Sequence, residues 1–144
     1  MIAIDANIFL ELFLGQEKAQ ECEEFLGAAY KDKRKYVVSA FTVDGVILMI
    51  ERKKKSLDSA NELILNLMRS VNIITYPNLN PDKISAIKIM KKYNLDSEDA
   101  LTLQCALQLE CKEIVSFDKH FDKVKEIKRI TPKEAMMKYG NKKI

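Results

Sequence analysis

The sequence predicts an α/β protein, an α/β/α sandwich around a central parallel sheet of five strands in the order 3-2-1-4-5. Three observations carry that prediction. Short apolar or β-branched runs recur along the chain, and each is followed by a stretch whose apolar residues fall three and four apart. Helices between strands imply right-handed crossovers and therefore parallel strands. Two of the runs, Met1-Ile2-Ala3-Ile4-Asp5 and Glu113-Ile114-Val115-Ser116-Phe117-Asp118, end on an aspartate. As neighbouring strands they bring both carboxylates to the edge where open α/β sheets carry their sites.

The elements follow in order. After the first strand, Ile8 to Leu14 is too apolar for a surface loop and forms a short helix stopped by Gly15, with Asn7 at its start. From Glu17 to Tyr30, Ala19, Cys22, Phe25, Leu26 and Ala29 define one buried helix face. Tyr36-Val37-Val38-Ser39 is the second strand, and Phe41 to Glu51 an apolar helix with Thr42 and Asp44 near its start. Ser56 or Asp58 caps a helix from Leu57 to Arg69, and Val71 to Thr75 is the third strand. Asn80 or Pro81 begins a helix through Lys92, with Ile84, Ile87 and Met90 expected inward. The almost wholly apolar Leu101 to Leu109 is a helix packed on more than one side, holding Asp99 at its buried N-terminal end. The run to Asp118 is the fourth strand, and Lys119 to Lys123 a turn or short helix. Ile127 to Thr131 suits an edge strand, and Pro132 opens a last helix.

At 144 residues, 47% hydrophobic and 31% charged, the chain fits one domain over residues 1–139, with a frayed tail at 140–144. No apolar run approaches the ~18 residues of a membrane span, and the start lacks the basic region of a signal peptide, so a cytoplasmic location is expected. Cys22, Cys105 and Cys111 lack metal-ligand spacing and read as buried free thiols. The net charge of +3 does not by itself imply nucleic acid, although Lys31 to Lys35 and Arg52 to Lys55 are local basic runs that suit either phosphates or solvent.

Four acids from four crossovers converge on the expected sheet edge: Asp5, Asp44, Asp99 and Asp118. Carboxylates so close repel, and a divalent cation relieves the conflict. Hard oxygen ligands suit Mg²⁺ or Mn²⁺, which activate water for attack on a phosphodiester. Asp96 and Glu98 read as helix-start residues, Asp122 as solvated, and His120, the only histidine, as a surface residue. One histidine leaves no Ser-His-Asp arrangement, and the four scattered glycines form no phosphate-cradling loop.

With these residues in view, the chain resembles the PIN-domain family of metal-dependent ribonucleases over nearly its full length. The resemblance rests on Ile4-Asp5-Ala6-Asn7-Ile8-Phe9-Leu10, on Leu95-Asp96-Ser97-Glu98-Asp99-Ala100-Leu101, and on Val115-Ser116-Phe117-Asp118-Lys119-His120-Phe121-Asp122. It implies Asp5, Asp99 and Asp118 as metal ligands, with Asn7, Ser116, Asp96 and Asp122 in supporting positions. It also implies an RNA substrate, an antitoxin partner and a homodimer, since small members are often toxins of toxin–antitoxin pairs. Two positions depart from the family pattern. Gly45 stands where a helix glutamate is usual, with Asp44 beside it but about 100° around an ideal helix. His120 occupies a position that is frequently acidic.

The expected function is therefore a Mg²⁺- or Mn²⁺-dependent endoribonuclease with Asp5, Asp44, Asp99 and Asp118 as its catalytic acids. The alternative is a weakened or inactive module of the same fold that binds RNA or a protein. A phosphatase with an aspartyl nucleophile ranks last, because Asn7 stands where its second acid would be.

Overall fold

Strand β1, Ile2–Ile4, lies at the centre of the sheet and is buried along its whole length. A computed structural model describes residues 1–140. The other strands are β2 (Tyr36–Ser39), β3 (Ile73–Tyr76), β4 (Glu113–Val115) and β5 (Lys128–Ile130). They form one five-stranded sheet in the order β3-β2-β1-β4-β5, with every pairing parallel. Ile4 pairs with Val115, so the residues following β1 and β4 leave the sheet side by side.

Among the described residues seven α-helices pack on the sheet, six of them between strands: α1 (Ala6–Phe13), α2 (Ala19–Lys31), α3 (Ala40–Arg52), α4 (Leu57–Arg69), α5 (Asn80–Tyr93) and α6 (Ser97–Gln108), with α7 (Pro132–Tyr139) after β5. Alternation along the strands divides the core in two, as the two-residue period of a strand requires. Ile2, Ile4, Val38 and Val115 pack with α1, α2, α3, α4 and α7, while Ala3, Val37 and Ile114 face α5 and α6. The chain is thus a helix–sheet–helix sandwich, as its sequence predicts.

The differences from the sequence reading are local. Helix α1 starts at Ala6, ahead of Ile8, because the Asp5 side chain caps it. Strand β3 starts at Ile73 rather than Val71, which is 87% exposed; the intervening Asn72 turns inward to serve backbone carbonyls. Helix α6 begins at Ser97, so Asp99 lies in its first turn, and residues Asp99 to Ala106 are all buried. The inward face expected for α5 is corrected, since Ile84 and Ile87 are 60% and 51% exposed. Ala86 is buried instead, with Ile89, Met90 and Tyr93 packed beside it. Two stripes of helical spacing compete on this segment, and its packing against α6 selects the one with the smaller residue at the contact. Gly15 ends the first helical turn region in the left-handed conformation, φ +63°, that favours glycine.

All three cysteines are buried and free. Among the described residues no helix is long and apolar enough to cross a membrane. The tail expected to fray lies, beyond Gly140, outside the described residues.

Candidate metal centre at the carboxyl edge of the sheet

Ser116, fully buried just beyond β4, organises this edge. Its Oγ donates to Asp5 Oδ2 at 2.6 Å and accepts from Asn7 Nδ2 at 3.2 Å and from the Asp118 backbone N–H at 2.9 Å. A hydroxyl has one proton and two lone pairs, so these contacts use all of its capacity. The other Asp5 oxygen accepts the Ala6 N–H at 2.7 Å, and the Asp5 N–H donates to the Val115 carbonyl at 3.0 Å. Asp5 is thereby tied to β4 through both backbone and side chain.

Asp99 is placed by its own helix. The Asp96 carboxylate caps α6 by accepting the Asp99 N–H at 2.9 Å, leaving the Asp99 side chain buried against the sheet edge. Asp118 caps a 3-10 turn, Lys119–Lys123, by accepting the His120 N–H at 2.9 Å. Phe121, fully buried in the same turn, anchors it. The starts of α1, α3 and α6 all face this edge, so their positive dipole ends oppose the concentration of negative charge.

That charge is strained without a counterion. Burial pushes the Asp5 carboxyl up from 3.8 to about 6, against the lowering effect of its hydrogen bonds from Ser116 and Ala6. Asp99 rises to about 8, first through burial and then through the nearby Asp5 and Asp118 carboxylates. Two buried acids whose carboxyls are both pushed up while they face a third are a ready sink for positive charge. One ligand atom each from Asp99, Asp118 and His120 lies within 4.8 Å of the other two. The donor set of carboxylate oxygens and an imidazole nitrogen, on rigidly capped elements, fits a divalent cation.

The remaining sequence-selected residues fall on both sides of this boundary. Asn7 supports Ser116 and also accepts the Phe117 N–H at 3.4 Å. Asp44 is exposed on α3 and, like the buried Asp5, stands outside the group of converging ligand atoms formed by Asp99, Asp118 and His120. At the neighbouring Gly45, an added Cβ would meet nothing within 4 Å. Asp122 is paired with Arg129, whose Nε lies 2.8 Å from Asp122 Oδ1 and whose Nη1 donates to the Ser116 carbonyl at 3.2 Å.

Three residues take roles at the site that the sequence reading left open or did not name. His120 has a side chain 71% exposed, as a surface residue should, yet its Nδ1 lies 3.0 Å from Asp118 Oδ1 and 3.8 Å from Asp99 Oδ2. The signal available was its place two residues after an aspartate that ends a strand, a spacing that a tight turn folds back on itself. Glu98 is raised by burial and then by Asp96 and Asp118, so its charge belongs to the same field despite its position in a helix cap region. Arg129 carried no motif and is found only because β5 lies beside β4.

A family model described as the PIN domain matches residues 2–127. No curated protein matches the sequence. Solved structures do match. A toxin–antitoxin complex from Klebsiella pneumoniae aligns with a TM-score of 0.68 at 17% identity, covering 92% of this chain and 98% of that one. VapC20 of Mycobacterium tuberculosis, a toxin that cleaves the sarcin–ricin loop, aligns with a TM-score of 0.70 at 12% identity over 89% and 99% of the two chains. VapBC2 from Rickettsia felis, bound to promoter DNA, aligns with a TM-score of 0.67 at 12% identity over 91% and 98%. At such identities the likeness is one of fold.

Proposed function

Because the chain belongs to the PIN-domain family, we propose that it is a divalent-metal-dependent endoribonuclease and the toxin half of a toxin–antitoxin pair. The observation that carries the reading is the convergence of Asp99, Asp118 and His120 ligand atoms within 4.8 Å, beside a buried Asp5. The toxin assignment is supported by the fold shared with toxins and toxin–antitoxin complexes.

In this mechanism Asp5, Asp99 and Asp118 would hold Mg²⁺ or Mn²⁺. The chemistry such an ion supplies when bound is activation of water and neutralisation of charge on the scissile phosphate. Ser116 and Asn7 keep the Asp5 carboxylate oriented, and the Asp96 cap sets the direction from which Asp99 enters. Glu98, half-buried, adds to the negative field that raises the Asp5 carboxyl. Asp44, exposed and apart from the converging atoms, is given no ligand role.

A second reading, a weakened member that binds RNA or a protein without turnover, is favoured by Gly45, which leaves α3 without the glutamate usual in the family. The test is cleavage of a pool of labelled RNAs by wild type, Asp118→Asn and Gly45→Glu in Mg²⁺, in Mn²⁺ and in chelator, with folding checked by circular dichroism. Metal-dependent cleavage that falls by a factor of about 100 or more in Asp118→Asn establishes the nuclease. A folded wild type that cleaves in no metal, with cleavage gained in Gly45→Glu, establishes the second reading. The space around a Cβ at Gly45 makes that variant sterically permissible.

A further inference from the structure

His120 stands in the acidic group but brings a nitrogen where the neighbouring donors bring oxygen. Its Nδ1 is 3.0 Å from Asp118 Oδ1 and 3.8 Å from Asp99 Oδ2. Ligand atoms about 2.1 Å from a shared six-coordinate ion are separated by about 3.0 Å when adjacent and about 4.2 Å when opposite. Both distances lie in that range. The position is built rather than incidental: Asp118 accepts the His120 N–H at 2.9 Å, and the next residue, Phe121, is fully buried. The backbone of His120 is thus held from both sides while the ring stays open to solvent.

We propose that His120 Nδ1 is a direct ligand of the cation held by Asp99 and Asp118, and that it biases the centre towards Mn²⁺ over Mg²⁺. The chemical reason is ligand softness. Imidazole suits first-row transition metals, whereas Mg²⁺ prefers an all-oxygen shell with retained water. A neutral nitrogen in place of an acid lowers the charge of the donor set and leaves coordination chemistry to decide the metal.

The inference rests on the metal-dependent reading above, and its test separates the two. Wild type, His120→Gln and Asp118→Asn are titrated with Mn²⁺ by electron paramagnetic resonance, with Mg²⁺ as competitor. Electron spin-echo modulation then reports any nitrogen bound directly to the Mn²⁺. The expected result is directly coordinated ¹⁴N in wild type and its loss in His120→Gln. Mn²⁺ affinity should fall about tenfold or more in that variant, with a smaller change for Mg²⁺. Mn²⁺ bound to wild type and lost in Asp118→Asn, but without the nitrogen signal, overturns the role of His120 and leaves the metal centre standing. A nitrogen signal that persists in His120→Gln overturns it equally. No binding of Mn²⁺ to wild type overturns both. His120 is largely exposed, so its replacement does not endanger folding.

Discussion

Asp5 and Asp99 are the residues at which function costs stability. Each folded value lies above the ordinary 3.8, at about 6 for Asp5 and about 8 for Asp99. The folded protein therefore keeps protons that the unfolded chain has already released. With more protons bound in the folded state, metal-free stability declines as pH rises from 3.8 through those two values. Asp99→Asn removes the larger share of that decline. In chelator, urea denaturation at pH 8 should find it more stable than wild type by on the order of 2 kcal/mol, with the gain vanishing towards pH 4. Equal stability at both pH values would show that the buried carboxylates are not in conflict. Ser116 moderates the same conflict by donating to Asp5 at 2.6 Å. A β-branched run ending in Ser-Phe-Asp makes this serine visible in the sequence, but its three-way contact with Asp5, Asn7 and Asp118 requires the fold.

At the scale of elements, the sheet edge opposite in character to the acidic one is the outer strand β3. Its approach is secured by Asn72, only 3% exposed. Asn72 Nδ2 faces the carbonyls of Ala29, Asp32 at 2.9 Å and Arg34 at 3.3 Å, and its Oδ1 accepts the Ser70 hydroxyl at 2.8 Å. One amide thus joins the end of α2, the approach to β2 and the start of β3. Asn72→Ala leaves several buried polar groups without partners and should cost about 2 kcal/mol in denaturant unfolding, with cleavage unchanged where the variant is folded. A loss under about 0.5 kcal/mol would mean that water serves those carbonyls equally well. This residue reads as part of a strand in the sequence, because nothing local tells an inward amide from a ladder residue. The inward face of α5 was misassigned for the same reason: Ile84 and Ile87 have the right spacing for a core, but only contact with α6 chooses Ala86 and Ile89 beside Met90.

Across the whole molecule, the two basic runs lie at the end of the sheet away from the acidic site. The acids stand at the carboxyl edge. Lys31 to Lys35 lead into the opening of β2, and Arg52 to Lys55 end α3, so both basic runs occupy the opposite end. The 13 residues of α3 separate its last turn from the acidic edge by about 20 Å. That exceeds the screening length of about 8 Å at physiological salt. Combined replacement of Lys53, Lys54 and Lys55 by glutamine should therefore leave cleavage of an RNA a few nucleotides long within about twofold of wild type. A drop of tenfold or more on such a short RNA would require the substrate path to run the length of the sheet.

The sequence by itself determined the fold class, the strand order and the aspartates available for a metal site. Apolar periodicity and the ends of strands are local signals, and right-handed crossovers leave few ways to arrange them. Tertiary structure alone decided which polar groups share the edge. It admitted His120 and Arg129, drew Glu98 into the same field, left Asp44 in solvent and paired Asp122 away. The physical reason is that a side chain's neighbours across a sheet are set by strand order and helix phase. A rotation of 100° between adjacent helix positions separates one side of α3 from the solvated Asp44, and the side that faces the sheet edge is fixed only when the helix packs.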